Sequence, residues 1–110
     1  MSVLLVLTNL PDHEAAVALA RTLVERRLAA CVNVLGECTS VYRWQGKIEE
    51  AAEVPVLIKT SADAYPALER SLRELHPYEL PEIVAVPLAH GLPDYLGWVL
   101  AETRAPQSNQ

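Results

Sequence analysis

The chain has 110 residues, of which 51% are apolar and 21% charged, and nine Lys and Arg against fourteen Asp and Glu give a net charge of −5. That length is one domain's worth, able to hold a core without disulfide staples, and the composition excludes a disordered chain. The acidic balance leaves no basic face to release phosphate counterions, so nucleic acid is not an expected partner.

Val3-Leu-Leu-Val-Leu7 reads as a short strand buried on both faces, ended by Thr8, Asn9 and Pro11. Asp12 is placed to cap a helix, with Glu14 in its first turn. Ala16, Leu19, Ala20, Leu23, Val24 and Leu28 then follow at helical spacing. Ala29–Leu35 is a second apolar run, broken by Gly36. Ser40–Gln45 alternates, with Tyr42 and Trp44 on one face and Val41, Arg43 and Gln45 on the other. Gly46-Lys47 predicts a turn and Ile48–Thr60 a return strand, together a long hairpin whose tip is too polar for a core. Pro55 inside that strand calls for an edge position or a bulge.

Asp63 is the predicted cap of a second helix with Pro66 at its third position, and Ala64, Leu68, Leu72 and Leu75 line one face. Pro77 stops it, leaving His76 at its end. Ile83–Val86 predicts another strand. Pro93 opens a last helix with Leu92, Tyr95, Leu96, Val99 and Leu100 on one side. Residues 1–104 form one expected domain and 105–110 a flexible polar tail.

The order is β-α-β-β-α-β plus a C-terminal helix, the α+β split arrangement of ferredoxin-like domains. Right-handed crossovers put both main helices on one sheet face. The strands are nevertheless apolar on both alternating sets, for example Val56 and Ile58 against Leu57. A sheet of that kind needs a partner, so an oligomer is expected.

No apolar run approaches the ~20 residues that cross a bilayer. The run at Val3 lacks both the length and the basic flank of a signal peptide. Cys31 and Cys38 are too few for a disulfide scaffold. These readings point to a cytoplasmic protein with no membrane partner.

The glycines are too scattered for a phosphate-binding loop, and no serine sits in a nucleophile elbow. Cys31 reads either as a small buried hydrophobe or as a soft metal ligand. His76 reads either as a helix end stabilised by the dipole or as a ligand or acid/base held by Pro77, with Tyr78, Glu79 and Glu82 close by. Tyr42, Arg43 and Trp44 favour an interface over a ligand-stacking role. Glu49, Glu50 and Glu53 read as a solvated strand face.

Three segments, Leu28–Val34, Ser40–Glu50 and His76–Ile83, closely resemble the CutA family, named for divalent-cation tolerance. Pro11-Asp12, Leu57–Thr60 and Tyr95–Trp98 support the match, which is collinear over about residues 3–100. The resemblance implies a ferredoxin-like homotrimer, non-enzymatic, binding a divalent cation such as copper or zinc weakly. It implies metal ligation by His76 with Cys31 or Glu79. It also implies an intersubunit cleft or trimer interface drawing on Tyr42, Arg43, Trp44, Lys59, Tyr78 and Trp98. Where some members similar to this one carry a second cysteine and a paired histidine, the matching positions are Thr8 and Leu75. The alternative is a trimer similar to PII-type regulators, taking a small anionic metabolite in the cleft beside Lys59 and Arg43.

Overall fold

The structure, a computed structural model, describes residues 2–105. Past Ala105, the predicted polar tail lies outside the described residues. Five strands and three helices follow in the order β1 (Val3–Leu10), α1 (His13–Glu25), β2 (Cys31–Val34), β3 (Cys38–Trp44), β4 (Lys47–Ser61), α2 (Tyr65–Leu75), β5 (Val84–Pro87) and α3 (Pro93–Glu102). β1 runs centrally, antiparallel to both β4 and β5, and β2 closes the far side against β4. β3 pairs only with the first half of β4, from Trp44↔Lys47 to Cys38↔Glu53, so this hairpin projects beyond the main sheet.

The core lies on one face. Val6 and Leu10 of β1 and Val54, Val56 and Ile58 of β4 meet Leu19 and Leu23 of α1 and Leu68 and Leu72 of α2. Both helices therefore cover the same side of the sheet, as the crossover rule requires. The opposite face carries Leu5 and Leu7, then Lys59 and Leu57 across from them, and Val86 and Val84 on the other flank. α3 reaches the Val3 end, where Thr103 Oγ1 donates to Ser61 Oγ at 3.0 Å.

Local chemistry sets most boundaries. Asp12 caps α1 by accepting from the Ala15 N–H at 2.8 Å. The helix ends earlier than the apolar spacing predicts: Arg27 takes a positive φ of 59° and leaves Leu28 beyond the helix, and Val24 in the last turn is exposed. The predicted Asp63 cap is corrected. α2 begins after Ala64 with no side-chain bond from its cap residue, Pro66 is its second residue, and the Ala64 N–H bonds Ser61 Oγ at 3.2 Å instead. The hairpin turn is Gln45-Gly46, both with positive φ (51° and 80°), one residue earlier than predicted.

Pro55 needs no bulge. β4 runs unbroken through it for 15 residues. Its carbonyl accepts from Leu35 N at 3.0 Å, so its ring nitrogen faces the same side, where β2 has ended at Val34 and β3 has not yet begun. No neighbouring strand there asks for the N–H that proline lacks.

Candidate functional site

Where the hairpin leaves the main sheet, the segment after α2 folds across the face opposite the helices and encloses a cleft of about 980 Å³. Alternation along β3 aims Ser40, Tyr42 and Trp44 into it, and the same alternation on β4 brings Ala51 and Glu53. Tyr78, Glu79 and Glu82 form the other wall, with Asn9 at the end of β1. Asn9 Nδ2 donates to Glu82 Oε1 at 3.1 Å and ties the wall to the sheet.

Glu53 corrects the expectation of a solvated face, for it is only 9% exposed. Tyr78 stands beside it and is pushed up to about 12, first by burial and then by the neighbouring Glu53 carboxylate. The phenol therefore stays protonated as a donor throughout the neutral range. Sequence reasoning missed Glu53 because its cover comes from a segment more than twenty positions away; the one local signal was its parity with Ala51, which puts it on the hairpin face that carries Tyr42.

His76 sits at the C-terminal cap of α2, 7% exposed. Its Nδ1 accepts from the Tyr78 N–H at 3.2 Å, which leaves Nε2 to donate to the Asn9 carbonyl at 2.7 Å. Both ring nitrogens are thus in use and the tautomer follows from the two partners. Burial lowers its pKa below the usual imidazole value, with the Asn9 bond and the Glu53 charge opposing. The ring packs against Tyr78 at 4.8 Å, with the two planes tilted by 52°.

The remaining predicted residues lie elsewhere. Cys31 on β2 is opposite Lys59 on β4, six residues along from Glu53 and so roughly 20 Å away by strand rise. The Cys31 thiol approaches Asn33 Oδ1 at 3.9 Å, and Lys59 Nζ donates to the same oxygen at 2.7 Å. Neither residue lines the cleft, nor does Arg43, which alternation turns to the helix-side face of the hairpin. Trp98 packs on Tyr95 of its own helix at 5.6 Å and is also outside it. The structure does bring Tyr42, Trp44, Tyr78 and Glu79 together.

A resident metal does not fit this donor set. No group of three or more His, Cys, Asp or Glu side chains stands close enough to hold an ion among the described residues. His76, Cys31 and Glu79, expected as ligands, are therefore not a joint site. The Thr8 hydroxyl, at the position where a further thiolate was sought, is buried in the core without a hydrogen-bond partner.

A four-stranded antiparallel sheet under two helices, with the middle hairpin extended, places the chain in the ferredoxin-like class. The family model of CutA1 divalent ion tolerance proteins matches residues 4–102, and the chain belongs to that family. The Thermus thermophilus divalent-cation tolerance protein CutA is 48% identical over 98 residues, which is 89% of this chain and 95% of that one. Mouse protein CutA is 49% identical over 81% of this chain, but the match spans only 50% of the mouse protein's length. The crystal structure of CutA from Xylella fastidiosa superposes with a TM-score of 0.91 at 46% identity, covering 94% of this chain and all of that one. An Archaeoglobus fulgidus structure, TM-score 0.89 at 31% identity over 93% of this chain and 99% of that one, is named a periplasmic divalent cation tolerance protein.

Proposed function

We propose that this protein serves divalent-cation tolerance without enzymatic chemistry, as a homotrimer that meets divalent ions weakly through oxygen donors. The observation that carries the reading is the family match across almost the whole chain. The oxygen donors are the cleft carboxylates Glu79 and Glu82, both exposed, rather than the engaged imidazole of His76. Hard oxygen donors suit borderline and hard divalent ions better than copper(I), which favours thiolates. The apolar sheet face that the chain leaves open supports the trimer. Cys31 and Cys38 are free thiols, in keeping with a reducing cytoplasm. No helix among the described residues is long and apolar enough to cross a membrane.

An anionic metabolite of the PII type is not favoured, because no Lys, Arg or His lines the cleft among the described residues. Calorimetric titration with Zn(II), Cu(II) and Ni(II) tests the reading on wild type, His76→Gln and a Glu79→Gln, Glu82→Gln double variant. Weak saturable binding kept in the first variant and lost in the second is expected. Loss in His76→Gln alone, with the fold intact by circular dichroism, would return the site to the imidazole.

A further inference from the structure

A second cavity, of about 490 Å³, lies past the Val3–Ser61 end of the sheet, roughly 20 Å along β1 from the cleft at Asn9. The ends of α1 and α3 and the start of α2 enclose it. None of the sheet-face residues Leu5, Leu7, Leu57, Val84 and Val86 lines it, and no hairpin residue does. Buried Ser61 and Thr103 line it, their hydroxyls 3.0 Å apart. Around them stand Arg26, Arg27 and Arg104, three of the nine Lys and Arg of an acidic chain, against one carboxylate, Asp63.

Neutral partners do not account for this gathering of like charges. Arg26 Nη1 donates to Ser71 Oγ at 3.5 Å, and Arg27 Nη1 donates to the Glu102 carbonyl at 3.2 Å. The second bond uses one of five guanidinium donors. It also fixes Arg27 across 75 positions of chain, at a φ of 59° that glycine adopts more readily. Helix ends do not balance the charge either. Each carries about half a charge; α1 and α3 turn negative ends to the cavity and α2 its positive one, so the backbone offsets only part of the arginine excess. The cavity therefore lacks an anion, and its volume suits a small metabolite.

We infer that the cavity between the ends of α1 and α3 and the start of α2 is a binding site for a small molecule carrying a phosphate or pyrophosphate group, held by Arg26, Arg27 and Arg104. Guanidinium forks match phosphate oxygens two bonds at a time, which suits several arginines converging on one group. The inference goes beyond the divalent-ion reading and stands apart from it, because none of these residues lines the cleft that holds Glu79 and Glu82. It is also a different place from Lys59 and Arg43, which do not line this cavity.

Inorganic pyrophosphate is the probe, titrated calorimetrically into the full chain in metal-free buffer, so that the divalent-ion reading has no part in the result. Saturable binding is expected. It should be at least about tenfold weaker in Arg26→Gln and in Arg104→Gln, and unchanged in Arg43→Gln on the hairpin. Pyrophosphate should also raise the melting temperature of the wild type by mass action, and raise it less in the two cavity variants. Circular dichroism and sedimentation confirm that each variant keeps its fold and assembly. No saturable binding up to about 10 mM, the weakest affinity worth assigning to a site, would overturn the proposal. So would an equal weakening in Arg43→Gln, which would make the attraction a matter of overall charge. Cavity variants that melt earlier without ligand, yet bind pyrophosphate as the wild type does, would reduce these arginines to caps of the helix ends and would overturn it as well.

Discussion

The imidazole of His76 and the carbonyl of Asn9 meet at 2.7 Å, although 67 positions separate them in the chain. β5 pairs with β1 only between Leu4 and Leu7, so Asn9 lies past the end of that ladder and the histidine takes the place of a strand. The Tyr78 N–H completes the ring's partners and starts the cleft wall at a fixed point. His76 is therefore a latch between helix end and sheet edge.

Replacing it should be costly. His76→Ala removes both hydrogen bonds and leaves a carbonyl and an N–H unpaired in a half-buried setting, for an expected loss of about 2–3 kcal/mol of stability. Chemical denaturation measures it. A loss under about 0.5 kcal/mol, the range of ordinary surface substitutions, would mean that the latch is redundant.

The same residue gives stability a pH dependence with a definite sign. Its folded pKa lies below 6.5 because burial disfavours the charged ring. The unfolded chain then binds a proton first as pH falls, so this contribution is full above the unfolded pKa of about 6.5 and declines as pH drops from there to the folded pKa. Melting temperatures between pH 8 and pH 5 should fall with acid, and His76→Gln should flatten that slope. An equal slope in both proteins would assign the acid sensitivity to the carboxylates.

Thr8 makes the opposite kind of prediction. Its hydroxyl is 1% exposed on the core side of β1, opposite Val56, and has no hydrogen-bond partner. Thr8→Val keeps the shape and removes an unsatisfied polar atom, so it should stabilise by about 1 kcal/mol. Thr8→Ala should destabilise, because it trades the orphan for a cavity. A Val variant less stable than wild type would show that the hydroxyl is bonded in solution.

What the sequence made legible is what short-range physics decides. The Asp12 cap, the Leu19/Leu23 and Leu68/Leu72 faces, and Pro93 opening α3 each depend on neighbours within about four positions. Pro55 was recognisable as an anomaly, yet its resolution depends on where β2 and β3 each stop. The site was half legible. Alternation in Ser40–Gln45 already sets Arg43 away from Tyr42 and Trp44, so grouping all three in one cleft overrode a signal in the chain. Glu53 and Asn9 were out of reach, since their roles exist only once residues 76–82 cross the sheet. Trp98 is an aromatic beside an exposed Tyr95, and nothing in its spacing separates a cleft residue from a surface pair.

The turn at Gln45-Gly46 holds a non-glycine residue at φ 51°. The flanking strands twist so that both central positions favour left-handed conformations, where Asn and Gly are comfortable and Gln is not. Gln45→Asn or Gln45→Gly should therefore stabilise the hairpin by about 0.5–1 kcal/mol. Gly46→Ala, at φ 80°, should cost about 1 kcal/mol or more. Hydrogen exchange along β3 reads both changes locally. Unaltered protection in all three variants would place the hairpin's stability in contacts beyond its turn.

The sheet face away from the helices bears on assembly. Val86 and Val84 are 49% and 48% exposed and continue, through Leu5 and Leu7, to Lys59 and Leu57 across the sheet. Two adjacent rows dominated by Val and Leu in the middle of a sheet are poor company for water and good material for an interface between copies. Val86→Glu puts a charge on the β5 flank of that patch, beside Leu5, without touching the core beneath the helices. If the patch is the trimer contact, sedimentation should show the mass falling to that of a single chain, because an unpaired carboxylate cannot be buried there cheaply. A Val86→Glu protein of unchanged mass would leave this face free in solution and move the contact to the unpaired edge of the hairpin, where β4 between Lys47 and Glu53 has a strand on one side only.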